Sequence, residues 1–200
     1  MTDTIVVQRG FPRELLPAAA ELYDAAFGEK LSRAMPDPVA RRSVLRDVLD
    51  PSHALVALRG GELVGIAGFK TAAGSLAGGF TLGRLRARLG VVGALRAAMV
   101  LVLFERRPVP GQLLMDGIGV APALRGAGIG TMLLRGLVDY ARSAGYRSIR
   151  RDVIDTNPAA RRLYERMGFV AVGTQRFAYL GWLLGFEAAT QMELLVGAEG

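Results

Sequence analysis

The sequence predicts an α/β (α+β) fold in which helices pack on one sheet. Three observations carry this. Short alternating apolar runs, bounded by Gly, Pro and Asp, intermix with longer amphipathic helical patterns along the whole chain. A strand, a short loop, a glycine turn and a helix follow one another from Gln112 to Ala144. The 200 residues are 51% hydrophobic and 22% charged, a globular balance that fits one domain across 1–200.

Thr4 to Arg9 reads as a first strand. Pro12 opens a helical pattern carrying Leu15, Leu16, Ala19, Leu22, Tyr23 and Phe27, with Gly28 as the stop. A second helix is expected over Asp37 to Leu49, because Asp37-Pro38 is a good cap and first-turn pair. His53 to Arg59 and Glu62 to Lys70 flank Gly60-Gly61 and predict a hairpin. Thr71 to Gly79 is small and glycine-rich, hence a loop.

Phe80 to Phe104 is apolar and helical in character, studded with Arg84, Arg86, Arg88 and Arg96 and ended by Pro108 and Pro110. After it, Gln112 to Val120 reads as a strand, Gly128 to Ala144 as an amphipathic helix stopped by Gly145, and Ser148 to Ile154 as a strand. A short helix is expected over Pro158 to Met167, with closing strands over Phe169 to Tyr179 and Glu187 to Val196.

Composition removes several kinds of chemistry. With no cysteine, disulfides, thiolate metal sites and a cysteine nucleophile are excluded. Met1 to Arg9 lacks the pattern of a signal peptide, and Val91 to Phe104 is shorter than the roughly 20 residues a spanning helix needs, so a cytoplasmic location is expected and membrane association is not. The net charge of +7 is carried almost wholly by arginine, with Lys30 and Lys70 the only lysines. It suits an anionic ligand or surface, or merely reflects an Ala- and Arg-rich genome. Nucleic acid is not expected: aromatic residues are 7% and do not alternate with basic ones.

The run Arg125-Gly126-Ala127-Gly128-Ile129-Gly130-Thr131 is the most informative. A helix N-terminus presents unpaired N–H groups and the positive end of the helix dipole, so an anion docks there. Glycines let phosphate oxygens approach the backbone, and Arg125 adds a forked cation. A P-loop would need Lys followed by Ser or Thr after the last glycine, where Thr131 and Met132 stand. A dinucleotide fingerprint needs Gly-x-Gly-x-x-Gly directly after a strand; here the spacing differs and Ala121 to Arg125 intervene, although Asp152 imitates the ribose-binding acid.

This run resembles the Gln/Arg-x-x-Gly-x-Gly/Ala signature of the GCN5-related N-acetyltransferase (GNAT) family. The lead-in Asp116-Gly117-Ile118-Gly119-Val120-Ala121-Pro122 is similar to the strand that precedes it, and Asn157-Pro158 through Leu163-Tyr164-Glu165 to Gly168-Phe169 is similar to the family's second motif. The helical stretch from Phe80 to Arg107 departs from the shorter link expected there.

The resemblance implies a mixed, mostly antiparallel sheet of six to seven strands, with helices on both faces and the fourth and fifth strands splayed apart. It implies acetyl-CoA as acyl donor in that notch. The pantetheine arm would lie on the backbone of Ile118, Gly119 and Val120. The pyrophosphate would sit on Arg125, Gly126, Ala127, Gly128, Ile129, Gly130 and Thr131, and Asn157 would bond the CoA arm. Catalysis would be direct attack by the amine of a small-molecule or peptide acceptor, with Tyr164 protonating the leaving thiolate or merely packing. Asp116 is a candidate base, beside Asp152, Asp155 or a water chain. A non-catalytic CoA-binding protein that keeps the fold is the alternative. His53, the only histidine, reads as structural. The Phe80–Arg107 insertion is expected to form a lid, a homodimer surface or an amphipathic membrane-facing helix, burial against the sheet or a partner being the commoner outcome. Phe177, Tyr179, Trp182 and Phe186 form an aromatic cluster near the acceptor side.

Overall fold

A computed structural model describes residues 4–102, 108–177 and 185–197, the side chains at 29 and 30 apart. The chain runs through β1 (Ile5–Arg9), α1 (Leu16–Ser32), α2 (Pro38–Val48), β2 (Ala54–Arg59), β3 (Glu62–Thr71), β4 (Gly74–Ser75) and α3 (Leu82–Val102). It continues through β5 (Gln112–Val120), α4 (Ile129–Ser143), β6 (Ser148–Ile154), α5 (Pro158–Arg166), β7 (Val170–Arg176) and β8 (Ala188–Leu195). These strands make one eight-stranded sheet ordered β1-β2-β3-β5-β6-β8-β7, with β4 paired to β3. The strand beyond the expected six to seven is β4, two residues inside the predicted loop. All pairings are antiparallel except β5 with β6, which α4 connects as a crossover.

Strand alternation divides the core between the two faces. On β2, Ala54 and Val56 pack with α1, α2 and α3, whereas Leu55 and Ala57 pack with α4 and α5. Leu133, Leu134, Leu137 and Ala141 of α4 are wholly buried against the second face, and each fully buried leucine stabilises the fold by ~1.5–3 kcal/mol. Gly65 and Gly136 allow α4 this close: a Cβ on Gly65 would lie 2.9 Å from Ile129 and Leu133, and one on Gly136 2.8 Å from Leu55.

Two helices differ from the sequence reading. α1 continues through Gly28 to Ser32. Gly28 is a packing position, since a Cβ there would lie 2.7 Å from Asp24 Oδ1 and 3.3 Å from Arg41 Nη2. It makes room for the buried ion pair in which Arg41 Nε donates to Asp24 and Arg41 Nη1 donates to Met35 O at 2.8 Å. α3 breaks at Gly90, whose φ of 69° belongs to the left-handed region. The helical spacing read from Leu82 to Val92 therefore does not run through: Leu85 is buried and Leu89 half-buried, while Leu82 and Val92 are exposed.

His53 is held in place on all sides. Its Nδ1 lies 2.9 Å from Asp50 Oδ2 and 3.0 Å from Ser52 Oγ, and its Nε2 lies 3.3 Å from Thr71 Oγ1. Serine and aspartate meet the same ring nitrogen, so no relay through the imidazole is built, and the histidine ties the start of β2 to the end of β3.

Candidate active site

β5 and β6 pair over three positions only, from Gln112 with Ser148 to Leu114 with Arg150. Beyond Leu114 the strands part, and among the described strands β5 keeps β3 alone as a partner. The departure coincides with a β-bulge. Gly68 of β3 opposes Gly117 and Phe69 opposes Met115, which leaves Asp116 as the extra residue. The bulge reverses which side chains face α4: Leu113 and Met115 do so before it, Ile118 and Val120 after it. It also turns Gly117 and Gly119 towards α1, where a Cβ would lie 2.5 Å from the Phe27 ring and 2.8 Å from Ala26. Helix α1 lies directly on that part of the strand.

The glycine loop follows. Gly126 and Gly128 have φ of 86° and 81°, and a Cβ on either would meet nothing within 4 Å. Glycine is required there by backbone conformation, and the space above both is open. Gly128 is the N-cap of α4, so the N–H groups of the first turn have no intrahelical acceptor. Gly130 has a different role: a Cβ there would lie 3.4 Å from Leu163 of α5 and 3.9 Å from Ile118 and Val120, so the first turn of α4, α5 and β5 converge on it. The Arg125 side chain is exposed, with its Nε 3.4 Å from Val120 O.

A cleft of about 1220 Å³ enters the splay, with Tyr23 and Phe27 of α1, Asp116, Arg151, Asn157 and Tyr164 among its walls. Tyr164 is 3% exposed, packs on Phe169 at 5.5 Å between ring centroids, and has the Arg151 guanidinium as its neighbouring charge. Burial raises its pKa above the ordinary 10.0, and the Arg151 cation works against that rise. The same guanidinium donates from Nη1 to Met115 O at 3.1 Å and to Asp116 O. One arginine thus bridges the two parting strands beside the phenol. Tyr23 faces the group from α1; burial pushes its pKa up, and the neighbouring Asp116 charge pushes it further.

The predicted residues divide between two regions. Asp116, Asn157 and Tyr164 share the cleft, whereas Ile118 to Val120 and Arg125 to Thr131 lie outside its walls, along the rest of the notch. Asn157 caps α5, its Oδ1 accepting from Ala160 N at 3.0 Å, which leaves its Nδ2 as the group able to meet a ligand. Asp152 lines the cleft, 3.7 Å from Arg150 Nε. Asp155 instead anchors the start of β8 by accepting from Glu187 N and Ala188 N, and it lies outside the cleft. Of the aromatic cluster, Phe177 and Phe186 meet edge to face at 5.5 Å and Phe186 borders the cleft, while Tyr179 and Trp182 lie outside the described residues.

Arg151 and Tyr23 were missed by the sequence reading. Arg151 had a signal: it stands between Ile149 and Val153 on the strand face that packs into the core, where alternation calls for an apolar residue. Tyr23 had none, because a tyrosine on the apolar face of an amphipathic helix reads as core.

Comparison with known proteins agrees with the fold. The family model of the acetyltransferase (GNAT) family matches residues 16–169. The streptothricin acetyltransferase of Streptomyces lavendulae is 36% identical over 83 residues, 42% of this chain and 44% of that protein. The N-alpha-acetyltransferase RimI of Mycobacterium tuberculosis is 43% identical over 74 residues, 36% of this chain and 44% of that protein. The match thus spans less than half the length of either relative. Among solved structures, a GCN5-related N-acetyltransferase from Kribbella flavida superposes with a TM-score of 0.63 at 21% identity, over 98% of this chain and 99% of that one. At such identity the likeness concerns the fold alone.

Proposed function

The chain belongs to the GNAT acetyltransferase family, and we propose that it transfers the acetyl group of acetyl-CoA to the amine of a small-molecule or peptide acceptor by direct attack. The observation that carries this reading is Tyr164: a buried phenol on the wall of the cleft that enters the splay of β5 and β6, with the Arg151 guanidinium beside it. In the reaction the amine nitrogen forms a bond to the thioester carbonyl carbon, the C–S bond breaks, the nitrogen loses a proton and the sulfur leaves as a thiolate. A phenol whose pKa lies above 10 is protonated throughout the neutral range. It is therefore a proton donor to the thiolate, a role worth about 10²–10⁴-fold in rate. Asp116, on the opposite wall of the cleft, is the proposed acceptor of the amine proton, directly or through water.

The donor side of the proposal rests on the rest of the notch. The unpartnered edge of Ile118, Gly119 and Val120 suits an extended pantetheine arm. The open backbone at Arg125 to Thr131 suits the pyrophosphate, with Asn157 Nδ2 facing the arm.

Thermal unfolding with acetyl-CoA, with NAD and without ligand tests the donor. Acetyl-CoA at a hundred times its Kd should stabilise the fold by ~2.7 kcal/mol, and a larger shift with NAD would overturn the reading. Thiol release across an amine panel then tests the reaction. Stabilisation by acetyl-CoA with no thiol release from any amine would favour a CoA-binding protein without catalysis.

A further inference from the structure

Helix α3 leaves an apolar face uncovered. After the break at Gly90 its second half buries Ala94, Ala97 and Val100 against the core. Its other side carries Val91, Val92, Leu95, Met99 and Val102, all more than half exposed, with Val92 at 82% and Met99 at 71%. With 3.6 residues to a turn, these five fall within an arc of about 100°. This half is therefore apolar all round, and its one charged side chain, Arg96, borders the exposed arc beside Val92. A contiguous apolar face of this kind marks an interaction surface.

Charge identifies the occupant. The first half of α3 carries Arg84, Arg86 and Arg88, all exposed, and no acidic residue stands between Glu62 and Glu105. Asp47 neutralises Arg88 through a 2.7 Å contact. Arg84 and Arg96 bond to the carbonyls of Gly79 and Arg33, which leave their charges in place. A second copy of the chain fits poorly. Antiparallel pairing of the helices would lay the arginine half of each on the apolar half of the other, and parallel pairing would set arginine against arginine. A surface that is apolar below and anionic at its boundary fits both halves.

We propose that the exposed face of α3 docks on an anionic lipid bilayer, with Val91, Val92, Leu95, Met99 and Val102 entering the interface and Arg86 and Arg96 meeting the headgroups. Peripheral docking of this kind needs no spanning segment, and no helix among the described residues is long and apolar enough to span. It stands independently of the acetyl-transfer reading. It also has a consequence for it. The same helix lines the cleft that holds Tyr164, through Leu85, Ala98, Leu101 and Val102, the last of these belonging to the exposed face itself, so docking would set one edge of that cleft beside the lipid surface.

The test is co-sedimentation of the full chain with phosphatidylcholine vesicles, with and without phosphatidylglycerol at about 30 mol%. Binding should require the anionic lipid and weaken at high salt. The double variant V92D/M99D should bind at least tenfold more weakly. R86Q should lose about fivefold, the contribution of one interfacial arginine. Neither variant touches the cleft or the glycine loop, so both should keep the urea midpoint of the parent chain, which reports an intact fold. Equal binding to both vesicle types, no binding, or binding that V92D/M99D leaves unchanged would overturn the proposal. So would a dimer in solution that M99D dissociates, which would assign the face to a second copy.

Discussion

Two arginines pack inward from the helices and the sheet, Arg41 buried and Arg151 half-buried, and the two are held differently. Arg41, beneath α1 and α2, has the Asp24 carboxylate as counter-charge and the Met35 carbonyl as a further acceptor. Arg151 starts from the strand face that packs on α4 and α5 and donates to two main-chain carbonyls, those of Met115 and Asp116, beside the Tyr164 phenol. Arg41 lies away from the cleft, and Arg151 forms part of its wall. A buried cation closed by a carboxylate presents little field to anything outside it. One held by carbonyls beside a phenol keeps its field for whatever enters the cleft. On the proposed function, the first arrangement serves stability and the second serves the reaction.

Four measurements would break or sharpen that contrast. The largest effect is expected at the cleft. Tyr164→Phe should lower kcat by about 10²–10⁴-fold while the thermal shift with acetyl-CoA persists; an unchanged kcat would leave Tyr164 a packing residue. Next, Arg41→Ala leaves the buried Asp24 carboxylate with only the longer 3.6 Å contact to Arg42 and should cost about 3 kcal/mol in urea denaturation, the low end for breaking a buried pair. A loss below about 1 kcal/mol would show that the pair behaves like a surface ion pair. Third, Arg151→Met should lower kcat by about tenfold with little change in KM. Tyr164 should also ionise at still higher pH in an absorbance titration, because the cation that opposes the effect of burial is gone. A stability loss as large as that of Arg41→Ala would erase the contrast.

The smallest effect concerns alkaline pH. Tyr23 and Tyr164 both have raised pKa values in the folded chain. Their contribution to stability is complete below the ordinary value of 10.0 and is lost as pH rises through it towards the folded values, at a limiting slope of ~1.4 kcal/mol per pH unit for each. Urea midpoints should therefore fall above pH 10, and fall less steeply in Tyr23→Phe. Equal slopes in the two proteins would place Tyr23 outside the effect.

The contrast also explains what the sequence disclosed. β5 and β6 were legible to the residue, because Gln112 begins a mostly apolar run and Ser148 an alternating one, each bounded by turn residues. The glycine loop was legible because Gly126 and Gly128 answer to backbone conformation, a local property. Gly28 misled for the opposite reason: its cause lies thirteen residues away, in the side chain of Arg41, and only packing reveals it. α3 misled because Gly90 breaks the helix without any change in apolar composition. In the site, Asp116, Asn157 and Tyr164 could be placed by motif, whereas the carboxylate Asp155 could not be told from Asp152 until the hydrogen bonds to β8 were seen. Arg151 broke the alternation of its strand in plain view, and a charged residue at an inward position is a sign that a sequence reading can use.

The bulge at Asp116 carries a last consequence. It acts as a frame shift within a strand: odd-numbered residues serve the α4 face before it, and even-numbered residues serve it afterwards. Deleting a single residue at 116 or 117 would restore simple alternation and leave Ile118 and Val120 on the face that α4 covers, with Gly119 still towards Ala26. Burial therefore does not require the extra residue; what it supplies is the local bend and twist of β5 at the point where the strand leaves β6.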